Sequence, residues 1–214
     1  MKNIVILISG RGSNMQALLN EKPNCNIRAV ISSRADAAGL AFAKGKGIAV
    51  SAISPKDHPD REHFDAALAE EIDRFDPDFV VLAGFMRILT EKFVMHYKGR
   101  LINIHPSLLP AYPGIHTHAR ALADGVKIHG CTVHFVTPDL DHGPIIIQAA
   151  VPVLDNDTEQ TLSSRVLHEE HRIYPQAVRW LCSGQVRLGI DGRVINDGSS
   201  PQGSSLISPS LEAT

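Results

Sequence analysis

The stretch NIVILISGRGSNMQALL, residues 3–19, decides the fold. IVILI at 4–8 is a near-continuous apolar run, as expected of a strand covered on both faces. SGRGSN at 9–14 follows, and its glycines let the backbone turn sharply. A helical stretch with Met15, Leu18 and Leu19 comes next. Working outward, RAVIS at 28–32, IAVSAI at 48–53, FVVLA at 79–83 and LINIH at 101–105 read as further strands. Between the third and fourth of these five runs, Phe64, Leu68, Ile72 and Phe75 recur at helical spacing, with Glu70, Asp73 and Arg74 off that stripe. Asp76-Pro77-Asp78 stops this helix and starts the next strand. Strand and helix in alternation predict a doubly wound α/β sheet with parallel strands.

The second half changes character. CTVHFV at 131–136 and IIIQAAVPV at 145–153 are joined by TPDLDHGP, too short for a crossover helix, so these strands are expected to be antiparallel. A long helix is predicted from about Glu159 to Cys182. QVRLGI-DG-RVIND at 185–197 reads as a hairpin around Asp191-Gly192. The tail from Gly198 is rich in Ser, Gly and Pro and is expected to be disordered and dispensable for folding and activity. No Pro/Ser-rich linker divides the first 190 residues. One domain over residues 1–197 is therefore expected, with halves at 1–100 and 101–197.

Composition narrows the function classes. The 214 residues carry a formal charge of −2, which gives no case for a nucleic-acid or membrane partner. Cys25, Cys131 and Cys182 are widely spaced and odd in number, so they suggest reduced thiols in a cytoplasmic protein rather than a disulfide framework. The N-terminal apolar run is too short for an export signal. Eleven histidines invite a metal reading, but His116, His118, His129 and His134 match no zinc spacing, so no metal is expected.

Four places carry candidate chemistry. Gly10, Arg11, Gly12, Ser13 and Asn14 place glycines and a helix N-terminus after a strand, which suits a phosphate; the plainer alternative is a tight turn with a Ser/Asn cap. Asn103 and His105 share one face of a strand that Pro106 ends. An amide donor beside an imidazole suits acyl transfer, stabilising an oxyanion and handling protons; the alternative is a polar pair capping the strand. Asp141 can hydrogen-bond His105 and stabilise its charged form, or serve as an ordinary turn residue, with Asp139 and His142 as competitors. Glu170 stands on the apolar stripe Leu162, Val166, Ile173 and Ala177, so it needs a partner: a structural Arg or Lys, or a ligand ammonium or hydroxyl. His134 shares a strand side with Thr132 and is placed to line the site.

SGRGSNMQAL, VVLAGFMRIL, LINIHPSLLPAYPG, GCTVHFV and LDHGPIIIQ occur in this order. Together they resemble the glycinamide ribonucleotide transformylases, folate-dependent formyltransferases of purine synthesis, from Met1 to about Arg193. The resemblance implies a Rossmann-like mixed sheet, mostly parallel in its N-terminal half with antiparallel C-terminal strands. It makes Asn103, His105 and Asp141 a catalytic trio and Gly10 through Asn14 a phosphate loop. Glu170 becomes an acidic contact to the ribonucleotide. Arg61, Met86, Arg87, Ile88 and Leu89, with Asn103, border the folate. Thr137, Pro138, Asp139, Leu140 and Asp141 form the loop over the pterin ring. Arg11 stands where the family often has Asn. His142 stands where a small residue is expected, and is expected to crowd the loop or add a titrating group.

The implied reaction is attack by a primary amine on the formyl carbon of 10-formyltetrahydrofolate, the co-substrate, with glycinamide ribonucleotide as acceptor. Partners are then small molecules only, and the chain is expected to be a monomer or homodimer. A hydrolase using the same trio normally carries an N-terminal regulatory domain, and a methionyl-tRNA formyltransferase needs a C-terminal RNA-binding extension. This chain starts at its first strand, and only about twenty polar residues follow its last hairpin, which argues against both. A nucleotide-binding module or folate sensor is the non-enzyme alternative, which an intact trio argues against.

Overall fold

A computed structural model describes residues 1–198, 206, 208 and 209. Apart from Gly198 and those three residues, the tail expectation falls outside the described residues. Seven strands form one sheet: β1 (Asn3–Ile8), β2 (Asn26–Ser32), β3 (Ala49–Ala52), β4 (Phe79–Leu82), β5 (Leu101–His105), β6 (Ile128–Phe135) and β7 (Ile145–Pro152), in the order β3-β2-β1-β4-β5-β6-β7. Pairings from β3 through β5 are parallel, while β5–β6 and β6–β7 are antiparallel. The helices are α1 (Ser13–Glu21), α2 (Ala38–Gly45), α3 (Arg61–Asp73), α4 (Glu91–His96), α5 (Thr117–Ala123) and α6 (Glu159–Ser183). A separate hairpin pairs β8 (Val186–Leu188) with β9 (Val194–Asn196).

The doubly wound mixed sheet is the fold expected from the sequence. Strand bounds differ by a few residues: β2 and β6 start earlier than RAVIS and CTVHFV, and β3 is shorter than IAVSAI. Three helices, α2, α4 and α5, carry no long apolar stripe and were not expected.

Two apolar layers sandwich the sheet because β1 alternates. Ile4, Ile6 and Ile8 join Met15, Leu18, Leu162, Val166 and Tyr174 on one side. Val5 and Leu7 join Phe64, Leu68, Ile72, Phe93 and Tyr97 on the other. Each face therefore removes apolar surface from water, the main favourable term in folding. Thr158 and Thr161 form a capping box that starts α6, and Gly184 in the left-handed region ends it. Buried Tyr174 donates to the Leu82 carbonyl at 2.8 Å, fixing α6 against β4. Because strand order reverses beside β1, the C-terminal ends of β1 and β4 frame the crevice where such sheets bind ligands.

One buried side chain makes stability pH-dependent. His129 on β6 is 1% exposed, and burial pushes it down to about 4. Between about pH 6.5 and 4 the unfolded chain therefore binds a proton that the folded chain refuses, so His129 takes stability away as pH falls through that window. His118, His134 and His171, also lowered by burial, act with the same sign. Glu170, raised by burial, acts with the opposite sign above about pH 4.5. His129→Gln should give a shallower fall of melting temperature between pH 6.5 and 4 than the parent; an equal slope would remove His129 as a cause.

Candidate active site

The loop after β1 is held open by backbone and hydroxyl bonds. Ser9 N donates to Gly84 O at 3.1 Å, and Gly39 N donates to Gly10 O at 3.1 Å. The Ser9 hydroxyl bonds Ser33 Oγ at 2.7 Å and accepts from Met86 N at 2.8 Å, tying the β1 loop to the β4 loop. Gly12 adopts φ 68°, a left-handed conformation that an L side chain rarely takes, and starts α1 with no side-chain cap. The first-turn N–H groups of α1 thus keep their capacity to receive an anion.

Glu170, 7% exposed on α6, reaches this loop. Its Oε2 accepts from Asn14 Nδ2 at 2.7 Å. Within the chain its partner is thus the amide of Asn14 in the first turn of α1, not a structural Arg or Lys. Burial raises the Glu170 carboxyl, and the Asn14 bond opposes that rise. Asn14 Oδ1 is itself buried without a partner. Two acceptors, one carboxylate and one amide oxygen, therefore stand beside the helix N-terminus, a setting that suits a donor-rich ligand group.

Asn103, His105 and Asp141 come together at the C-terminal end of β5. Asn103 faces His134, and His105 faces Thr132, across the antiparallel β5–β6 pair. His105 Nδ1 lies 3.4 Å from Asp141 Oδ2, with both side chains more than nine-tenths buried. His105 Nε2 donates to the Tyr112 carbonyl at 2.9 Å. Both ring nitrogens therefore face oxygen acceptors, a carboxylate on one side and a carbonyl on the other. Asp141, at φ 52°, also accepts from Gly114 N at 2.8 Å, which aims its carboxylate.

His134 completes the group. Its Nδ1 donates to Phe135 O at 2.9 Å, leaving Nε2 to accept from Asn103 Nδ2 at 3.4 Å. Burial lowers His134, consistent with a neutral ring. Asn103 carries a second amide N–H, and among the described residues no hydrogen bond is made by it.

The sequence did not reveal what holds the 106–114 loop. Fully buried Thr132 donates to Ser107 O at 2.7 Å and accepts from Leu109 N at 3.1 Å. Gln148 Nε2 donates to Leu109 O and to Thr132 Oγ1, both at 2.9 Å, and the Ser107 hydroxyl donates to Ala111 O at 2.6 Å. This network carries the Tyr112 carbonyl that receives His105. The only sequence signal was the alternation that put Thr132 and His134 on one strand side.

The remaining expected contacts spread along the rim. Met86, Arg87, Ile88, Pro138, Asp139 and Leu140 are exposed, and Leu89 and Thr137 are half-buried. The Arg87 guanidinium lies over the Phe64 ring at 5.7 Å. Thr137 Oγ1 donates to Asp139 O at 3.2 Å, and His142 N to the same carbonyl at 3.3 Å. His142 is exposed rather than packed into the loop. Arg61 opens α3 and lines a cleft of about 1180 Å³ between α3 and α4 that includes none of the trio. Among the described residues, no group of three or more His, Cys, Asp or Glu side chains is placed to hold a metal ion. No described helix is long and apolar enough to cross a membrane.

The buried Gly143 explains the short turn after Asp141. A Cβ there would sit 1.7 Å from Phe135 O. Gly143→Ala must push the loop off β6, and overpacking of this kind costs about 1–3 kcal/mol. A lower melting temperature together with slowed turnover is expected. An unchanged rate would show that the loop relaxes without moving Asp141.

A mostly parallel sheet with a free helix N-terminus after β1, and an amide, imidazole and carboxylate at the end of β5, is an arrangement suited to group transfer. Residues 2–178 match the family described as Formyl transferase, and the chain belongs to that family. It is 51% identical over 190 residues to the phosphoribosylglycinamide formyltransferase of Escherichia coli strain K12, covering 87% of this chain and 90% of that one. It is 48% identical over 195 residues to the trifunctional purine biosynthetic protein adenosine-3 of Bos taurus, spanning 89% of this chain and 19% of that protein. The solved glycinamide ribonucleotide transformylase 1 of Symbiobacterium toebii superposes with a TM-score of 0.88 at 46% identity, covering 92% of this chain and 94% of that one.

Proposed function

We propose that this chain transfers the formyl group of 10-formyltetrahydrofolate to the amino group of glycinamide ribonucleotide, giving formylglycinamide ribonucleotide and tetrahydrofolate in purine (IMP) biosynthesis. The observation that supports the reading is that the Asn103–His105–Asp141 group follows the C-terminal end of β5 and the Asn14–Glu170 pair follows that of β1, two strands on the same edge of the parallel part of the sheet. The first suits acyl transfer and the second suits a phosphorylated, donor-bearing acceptor.

The chemistry follows from the residues. Attack of the amine on the formyl carbon puts negative charge on the formyl oxygen. Asn103 donates its second N–H to that oxyanion. His105, held by Asp141 and the Tyr112 carbonyl, stabilises the same charge, and the proton lost by the attacking amine is matched by one delivered to the departing folate nitrogen, relayed through His105 or a bound water, so the site ends as it began. The first-turn amides of α1, with Gly10 through Asn14, receive the phosphate, and Glu170 receives acceptor N–H or O–H groups. Arg61, Met86 through Leu89 and Thr137 through Asp141 border the folate, with the exposed Met86, Ile88 and Leu140 offering apolar contact to its ring. No metal is required. In this reading residues 1–197 are one domain, 1–100 serving the ribonucleotide and 101–197 the folate and catalysis. The enzyme works in the cytoplasm, as a monomer or homodimer, on small molecules.

Consumption of 10-formyltetrahydrofolate with and without glycinamide ribonucleotide tests this. Turnover should require the acceptor, and equal turnover without it would make the chain a hydrolase. A dephosphorylated acceptor should bind far more weakly. Equal binding of both acceptors would remove the phosphate role from the β1 loop.

A further inference from the structure

Strand β7 is the outer edge of the sheet, and the run IIIQ within it ends on Gln148. Gln148 stands opposite Thr132 of β6, and Thr132 stands opposite His105 of β5. Residues directly opposite one another across strands share a face of the sheet. The three therefore form one row that runs from the sheet edge to the candidate site. Among the described residues, the Gln148 amide makes no hydrogen bond to Asn103, His105 or Asp141.

Gln148 Nε2 donates to the Leu109 carbonyl and to Thr132 Oγ1, both at 2.9 Å. A primary amide has two N–H groups, so both are spent. The Thr132 hydroxyl accepts a second bond, from Leu109 N at 3.1 Å, and donates to Ser107 O at 2.7 Å. Both lone pairs and the one proton of that hydroxyl are thus committed. Without Gln148 one lone pair falls free and the hydroxyl can turn. The Leu109 carbonyl then also loses the one side-chain donor it has among the described residues. Beyond Leu109 the loop reaches Tyr112, whose carbonyl receives His105 Nε2 at 2.9 Å, and then Gly114, whose N donates to Asp141 at 2.8 Å. Gln148 and Thr132 clamp one end of this loop, and Asp141 holds the other.

We propose that Gln148 is a positioning residue for the transfer step. It acts through Thr132 and Leu109 on the Tyr112 carbonyl, and that carbonyl sets how His105 presents its ring to the reacting atoms. The role rests on formyl transfer at this site. The strand itself does not call for a glutamine. β7 pairs on one side only, the residue is exposed, and Gln is not among the residues that strands favour. A valine there would suit the strand and leave the loop unheld.

Steady-state transfer kinetics and ring ¹⁵N shifts of His105, measured on the full chain, test the proposal. Gln148→Ala removes both donors. Gln148→Glu keeps the size and, when ionised, can only accept. Each should lower kcat by about 10- to 100-fold, the scale of a displacement of about 1 Å in a reacting group, with little change in KM for either substrate. The His105 ring shifts should move even without substrate, because the acceptor at Nε2 is displaced. Melting curves set the assay temperature below the transition of every variant, so loss of folded protein cannot pass for loss of rate. Parental kcat in either folded variant, a rise in KM alone, or unmoved ring shifts would each overturn the proposal. A parent protein that transfers no formyl group to glycinamide ribonucleotide would overturn the function instead, and the ring shifts would still decide whether Gln148 positions His105.

Discussion

Asp141→Asn slows single-turnover formyl transfer by about two orders of magnitude, within the usual range for a positioned acid–base group. The variant keeps the size of the side chain and an oxygen able to accept from Gly114 N, so the loop keeps its anchor. It loses the negative charge 3.4 Å from His105 Nδ1. The ring then faces two neutral groups, the Tyr112 carbonyl and an amide, in place of a carbonyl and a carboxylate. Ring ¹⁵N shifts of His105 should change, because the group facing Nδ1 changes from a carboxylate to an amide. Binding of both substrates should change much less, because the pair acts on charge that exists only in the transition state. An unchanged rate with unchanged ring shifts would sink the proposed role of the pair, whatever the enzyme's substrates.

Asn103→Ala costs about 10²–10³-fold in the same step, equivalent to an oxyanion donor worth about 2.7–4 kcal/mol. The loss comes from one amide N–H, since the other is spent on His134 at 3.4 Å. Removing the amide also leaves His134 Nε2 buried without that donor, which adds a stability cost of about 1–3 kcal/mol. The two effects separate by measurement: the rate loss appears in single-turnover kinetics, and the stability loss in the melting temperature. A variant that melts early but transfers at the parental rate would show that Asn103 serves the fold alone.

The β-strands were legible because burial on both faces writes itself as continuous apolar runs such as IVILI and FVVLA. The helix over Phe64, Leu68 and Ile72 was legible for the matching reason, a stripe at helical period. Helix α2, AGLAFAKG, was not, because its small residues tuck under the β1 loop without leaving a polar–apolar stripe. At the site, strand alternation was enough to put Asn103 and His105 on one side. The partner of Glu170 was not readable, because Asn14 is a neutral residue far away in sequence and the apolar stripe on α6 announces only that some partner must exist. The Thr132–Ser107–Gln148 network escaped for the same reason: its hydrogen bonds join residues from three separate segments, and no local pattern marks them.

The Asn14–Glu170 bond also has a meaning for the order in which the chain is made. Synthesis delivers the β1 loop first, and 156 positions separate Asn14 from Glu170. Domains fold during synthesis from the N-terminal side, and non-local contacts are closed last. A nascent chain that has released only α1 through β7 holds its loop but lacks α6, which supplies Glu170 together with Leu162, Val166, Tyr174 and Val178 of the covering layer. Such a chain exposes the part of that sheet face which α6 covers and holds an anion-ready helix end without Glu170. Competence to hold the acceptor and completion of the core thus arrive in a single event, when the last long helix docks. A ribosome-stalled chain ending before residue 159 should accordingly be a client for chaperones rather than a partly active enzyme.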